Sequence, residues 1–166
     1  KTAYEIRNCD WSSDVCSSDL SEEIIYGMYV LALYGKYDYT TMNYYKANSS
    51  LLCVSEKYLL ATTYALAGNN ISYLSILPKV YAGEWAINSF DGSYYSGIRD
   101  EALALNALIE VEPDNAQVGI MAKHLSQELK NRDWLNTQEA AFSFLALGKI
   151  ARRSTLSNAK IGRAHV

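Results

Sequence analysis

The chain has 166 residues, with 15 Lys+Arg against 18 Asp+Glu, a formal net charge of −3. Nothing in this balance forms a basic stripe for nucleic acid, and no apolar run approaches the roughly 20 residues a membrane helix needs. Three cysteines and two histidines offer little material for a disulfide framework or a zinc cluster.

Taken in order, the first segment does not read as native protein. Asp14-Val15-Cys16-Ser17-Ser18-Asp19-Leu20 can be encoded so that the reverse complement translates as Ile161-Gly162-Arg163-Ala164-His165-Val166. One DNA element read in opposite directions therefore accounts for both ends, and that element resembles a common sequencing-library adapter. Lys1-Thr2-Ala3-Tyr4-Glu5-Ile6 and Asp10-Trp11-Ser12-Ser13 fit its upstream part. Residues 1–20 and 160–166 are accordingly expected to be adapter-derived and are set aside from fold reasoning, leaving 21–159. The ends carry four charges of each sign (Lys1, Arg7, Lys160, Arg163; Glu5, Asp10, Asp14, Asp19), so 11 basic and 14 acidic residues remain. Only Cys53 and His124 remain of their types, so residues 21–159 have no internal disulfide, cysteine zinc cluster or multi-histidine metal site.

Ile24, Ile25, Met28, Leu31 and Ala32 recur at helical spacing and predict a helix over 22–34, capped by Ser21 and stopped by Gly35. A shorter helix follows over 40–46, ending in the Asn48-Ser49-Ser50 turn. A third is expected over 55–67, stopped at Gly68, and a weak one over 71–77 before Pro78. Residues 81–96 lack helical period and read as a loop or short hairpin. Ser96 or Gly97 starts the next helix, which carries Ile98, Ala102, Leu105 and Ile109 and ends before Pro113. Asp114 is placed to cap the one after, with Gln117 at the capping-box position and Val118, Met121, Leu125 and Leu129 as its stripe. Asn136 and Glu139 form the capping box of the last helix, whose 140–147 stretch is apolar nearly all round and is expected to be buried on most sides. Several stretches look like similar helix ends: Leu31-Ala32-Leu33-Tyr34-Gly35, Tyr64-Ala65-Leu66-Ala67-Gly68, Leu145-Ala146-Leu147-Gly148 and the looser Leu105-Asn106-Ala107-Leu108. The fold class is therefore all-α, built from stacked helical hairpins as an open solenoid or a closed ring.

Side chains that could carry chemistry each have a plainer explanation. Cys53-Val54-Ser55-Glu56 sets a thiol near a carboxylate at a helix start, where a thiolate would be favoured; a half-buried thiol in a turn is the simpler account and is preferred. His124 has no second histidine and reads as a boundary residue. Arg99, Asp100 and Glu101 are charged, but acids suit a first helical turn and Arg99 can pair locally. Ser143 lies mid-helix without a triad. Tyr37, Tyr39, Tyr44 and Tyr45, and the group of Trp85, Phe90, Tyr94 and Tyr95, are explained by aromatic packing. Asp91-Gly92 is a turn signal.

Three stretches taken together resemble the thioester-type helical domain of the α2-macroglobulin superfamily, especially its bacterial members. They are Trp134-Leu135-Asn136-Thr137-Gln138-Glu139-Ala140-Ala141, then Ser96-Gly97-Ile98-Arg99-Asp100-Glu101-Ala102, and Lys57-Tyr58-Leu59-Leu60-Ala61 running to Gly68. The resemblance implies part of an α/α toroid, a ring of inner and outer helices. Trp134, Asn136, Thr137, Gln138, Glu139, Arg99 and Asp100 would be its structural signature. It further implies a bacterial endopeptidase inhibitor, a protease trap of the periplasm or cell envelope. Its partners would be trapped proteases and neighbouring domains of the same chain, without nucleic acid, membrane insertion or cofactor. Cys53-Val54-Ser55-Glu56 departs from the family's Cys-x-Glu-Gln pattern, so no thioester and no catalytic residue is carried over. Two other readings stand beside this one. An α/α-toroid enzyme, a cyclase or a glycan-acting protein, would use carboxylates among Glu139, Glu101 and Asp100; a helical-repeat interaction scaffold would need a regular unit.

Overall fold

The computed structural model describes residues 15–82 and 96–161, with the backbone alone for 15–20 and 155–161. Among these residues the fold is all-α: α1 (Val15–Leu33), α2 (Tyr39–Ala47), α3 (Val54–Leu66), α4 (Asn70–Ile76), α5 (Gly97–Val111), α6 (Ala116–Lys130) and α7 (Thr137–Ile161). A single 3-10 turn, Ser49–Leu51, links α2 to α3. No helix among the described residues is long and apolar enough to cross a membrane.

Local chemistry accounts for most boundaries. Asp38 Oδ1 accepts the Thr40 and Thr41 amides at the start of α2, and Asn69 Oδ1 accepts the Ser72 amide at the start of α4. α1 and α3 end alike. Lys36 N–H donates to Leu31 O at 3.0 Å and Gly35 N–H to Ala32 O at 2.9 Å; Asn69 N–H donates to Tyr64 O and Gly68 N–H to Ala65 O at 2.9 and 3.0 Å. Both are Schellman stops, and each needs the left-handed conformation that Gly35 (φ 72°) and Gly68 (φ 78°) adopt without a Cβ penalty.

Four of the sequence expectations are corrected. α1 begins at Val15, so Ser21 lies within the helix instead of capping it, because its hydroxyl is engaged by α3. α6 is capped by Asn115, whose Oδ1 accepts the Gln117 amide at 2.9 Å, while Asp114 is almost wholly exposed beside Arg153. Gly148 and Leu105–Leu108 end no helix. Beyond Gly148, Ile150 packs on the α5–α6 core and Lys149 pairs with Glu110, which holds the next turns of α7 in place. Finally, the 140–147 stretch is not buried on most sides: Ser143 and Ala146 are fully buried, but Phe144 is 68% and Leu145 45% exposed. The expected loop over 81–96 falls, apart from Tyr81, Ala82 and Ser96, outside the described residues, as do Trp85, Phe90, Tyr94 and Tyr95.

Helices α1, α3, α5 and α7 pack in sequence, α1 on α3, α3 on α5 and α5 on α7, with α2 and α4 set against α3 and α6 against α5. Side-chain registers show that the four run the same way. Arg99 meets Glu22, and two turns further along both helices Asn106 meets Tyr29. Ser96 meets Glu139 at one end of α5 and α7, and Glu110 meets Lys149 towards the other. Ser21 meets Glu56, and Tyr37 beyond α1 donates to Leu66 O at the end of α3. The row also curves, since Tyr26 of α1 and Phe142 of α7 meet edge to face with centroids 5.8 Å apart. The core continues along the row, from Ile25, Tyr29, Leu59 and Leu60 through Ala107 to Leu105, Leu108, Met121 and Leu125. Each fully buried side chain of this size contributes about 1.5–3 kcal/mol. Of the tyrosine cluster, Tyr37 and Tyr45 pack against the core, whereas Tyr39 and Tyr44 are more than half exposed and meet them tilted and edge to face.

Candidate functional site

Because the four row helices run the same way, polar residues from the starts of three of them and from the second turn of α1 meet at one end of the row: Ser21 and Glu22 of α1, Cys53 and Glu56 at α3, Ser96, Arg99 and Asp100 at α5, and Asn136, Gln138 and Glu139 at α7. Two nearly identical arrangements occur there. Glu139 Oε2 accepts the Asn136 amide at 2.9 Å while Asn136 Oδ1 accepts the Glu139 amide at 2.8 Å, the predicted capping box. Its other oxygen, Oε1, accepts the Ser96 hydroxyl at 2.5 Å. Glu56 does the same one pair earlier in the row: Oε2 accepts the Cys53 amide at 2.7 Å and Oε1 the Ser21 hydroxyl at 2.6 Å. In each case one carboxylate starts its own helix and ties it to the neighbouring one. Ser96 in turn caps α5 by accepting the Arg99 amide at 3.2 Å.

Arg99 ties the row together across its width. Its Nε donates to Asp100 at 2.8 Å, one terminal nitrogen meets Glu22 at 3.0 Å, and the other reaches Gln138 Oε1 at 3.3 Å. Burial by itself would discourage its charge, but the carboxylates of Asp100 and Glu22 outweigh that and raise its pKa. Burial likewise works against the Glu139 carboxylate. The hydrogen bonds from Ser96 and the Asn136 amide, with the positive charges of Arg132 and Arg99, outweigh it and hold Glu139 below the usual carboxylate range.

Of the expected signature residues, Asn136, Gln138, Glu139, Arg99 and Asp100 thus meet at this end. Trp134, 76% exposed, and Thr137, also exposed, do not join them. Sequence reasoning missed Ser21, Glu22 and Glu56 as members of the cluster; the signal available was the repeated pairing of a serine with a later N3 glutamate. Cys53 sits half-buried at the N-cap of α3, its Sγ 3.1 Å from Ser55 Oγ.

Glu101 behaves differently from its neighbours. It takes no part in capping: it is buried and accepts or shares a proton with His124 Nδ1 at 2.7 Å, on the wall of a cleft of about 400 Å³ that also includes Ile98, Met121, Glu128 and Arg132. Burial pushes Glu101 above the ordinary carboxylate range, against the pull of His124. His124 itself is more than half exposed, the boundary position its sequence context implies. Such a pair can hold an imidazole in one orientation and pass a proton. No cluster of three or more metal-ligating side chains occurs among the described residues.

In comparisons with protein-family models, curated proteins and solved structures, nothing matches this chain.

Proposed function

We propose that the chain is part of the α/α-toroid domain of a bacterial α2-macroglobulin-like endopeptidase inhibitor, acting without catalysis as a structural part of a protease trap in the periplasm or cell envelope. The observation that carries this reading is the use made of the residues behind the resemblance. Arg99, Asp100, Gln138 and Glu139 meet at one end of four co-directional helices, where Arg99 reaches from Glu22 of α1 to Gln138 of α7. Residues so committed to joining helices fit a structural signature better than a reactive one. A curved row of co-directional helices with α2, α4 and α6 packed against it is also compatible with an arc of a toroid. On this reading, the exposed Phe144 and Leu145 on α7 and Ile24 and Leu31 on α1 pack against further helices of the ring, and neighbouring domains and trapped proteases are the partners. Sequencing the genomic locus outward from both ends of 21–159 tests the proposal. β-Sandwich domains with a bait-like insertion upstream are expected; a catalytic domain there, or a stop codon that leaves the ring incomplete, would overturn it.

One observation favours a second reading, an α/α-toroid enzyme: the Glu101–His124 pair in its cleft. Turnover of a glycan panel that is lost in Glu101→Gln supports it, and absence of any turnover in the intact protein rules it out.

A further inference from the structure

The cleft of about 400 Å³ beside Glu101 and His124 is walled by the start of α5, by α6 and by Arg132 just beyond it. Its volume lies within the range of ligand pockets, about 300–1,000 Å³. Ile98, Glu101 and Met121 are buried, so a molecule in the cleft meets the accessible part of the lining. That part includes Gly97, Ile120 and the His124 side chain, the last two more than half exposed, and the half-exposed Arg132.

His124 has one committed and one open ring nitrogen. Nδ1 lies 2.7 Å from Glu101 Oε2, and that carboxylate is shut away from water, so the contact fixes the ring. Nε2 is the nitrogen left for a molecule in the cleft. An imidazole held at Nδ1 by a buried carboxylate is the base and orienter of a hydrolytic site, because the carboxylate selects the tautomer whose Nε2 can accept a proton. Burial opposes charge on Glu101 and His124 relieves it, so positive charge on the imidazole is stabilised at this spot.

The rest of the accessible lining sets the substrate. Gly97 is the first residue of α5, so the positive end of that helix dipole borders the cleft, and the Arg132 guanidinium, 3.8 Å from Glu139, lies on the same wall. Both favour negative charge developing on a carbonyl oxygen. Glu128, one turn after His124 on α6, brings a carboxylate to the wall and opposes an anionic substrate. Ile120, one turn before His124, offers an exposed apolar surface for an acyl chain.

We propose that this cleft hydrolyses small neutral carboxylic esters, with His124 as general base and Glu101 as its positioning residue. The inference rests on the second reading above, an enzyme, and supplies its reaction. His124 Nε2 takes a proton from a water molecule as the water oxygen bonds to the ester carbonyl carbon, and the carbonyl electron pair moves onto its oxygen. When that pair returns, the bond to the alcohol oxygen breaks and the imidazolium gives its proton to that oxygen. An acid and an alcohol leave, and His124 is restored.

The test is hydrolysis of p-nitrophenyl butyrate by the full chain, read as release of p-nitrophenolate. Turnover is expected to saturate with substrate and to exceed that of free imidazole at equal concentration. His124→Asn, at an exposed position, should lower the rate about 100-fold. Glu101→Gln keeps the imidazole but not its orienting charge, and should lower kcat about ten-fold or more with little change in KM. A rate no better than that of free imidazole overturns the proposal, as does turnover that survives in His124→Asn and so arises elsewhere, for example at Cys53. An unchanged kcat in Glu101→Gln overturns the positioning role; if that variant fails to fold, His124→Asn decides. Turnover of glycans without ester cleavage leaves the enzyme reading standing and overturns this one.

Discussion

Ser96 donates its hydroxyl to Glu139 at 2.5 Å across 43 residues of sequence, and Ser21 and Glu56 repeat the bond at 2.6 Å across 35. Ser96–Glu139 joins the starts of α5 and α7, Ser21–Glu56 joins the second turn of α1 to the start of α3, and each glutamate uses its second oxygen to cap its own helix. Removing either hydroxyl leaves a buried carboxylate oxygen short of a partner. Ser96→Ala and Ser21→Ala are each expected to destabilise the fold by about 1–3 kcal/mol. Chemical denaturation of the two variants and of the double variant checks this. Because Arg99 joins Glu22, next to Ser21, to Ser96 and Gln138, the two losses should depart from additivity by about 0.5 kcal/mol or more.

Arg99 makes three different contacts with one planar group, which a lysine cannot reproduce. Arg99→Lys is expected to cost about 1–3 kcal/mol in urea denaturation despite keeping the charge. An unchanged midpoint would show that the guanidinium geometry is immaterial.

Glu139 and Glu101 should give opposite pH dependences. The folded pKa of Glu139 is depressed, so its contribution is present above the unfolded carboxyl value, about 4.3, and is lost as pH falls through the folded value. Glu139→Gln should therefore flatten the acid limb of a stability–pH curve. The folded pKa of Glu101 is raised, so its contribution is present below the unfolded value and is lost as pH rises through the folded one. Glu101→Gln should compare less well with the unaltered chain at pH 4 than at pH 7. Melting curves across that range distinguish the two signs.

Glycine substitutions separate a true helix stop from a false one. Gly68→Ala forces an alanine into φ 78°, at a cost of about 1–2 kcal/mol, although the space around it is open. Gly148 lies inside α7 with open space about it, so Gly148→Ala should stabilise by about 0.5–1 kcal/mol. Thermal melts of the two variants should move in opposite directions.

What could be read from the chain by itself was local. Helical spacing and turn signals located the seven helices of the described residues, Asn136 and Glu139 announced their capping box, and Gly35 and Gly68 marked true stops, because each of these features depends on groups within about five residues of one another. The same local rules failed at Gly148, where the Leu-Ala-Leu-Gly pattern matched but contacts from α5 and α6 carried the helix onward. They failed at Ser21 too, a good cap by type that is instead held within α1 by Glu56. Glu101 was legible as a first-turn acid or a candidate carboxylate, but not as the partner of His124, which lies 23 residues away. The all-α class and the approximate place of each described helix follow from periodicity and capping, but not the start of α1 or the end of α7. Which residues share one end of the row, that Arg99 spans from Glu22 to Gln138, and that Glu101 meets His124 on the wall of a cleft were decided by packing. These relations join groups up to 77 residues apart, and a hydrogen bond of that separation has no local signature until the helices between them are in place.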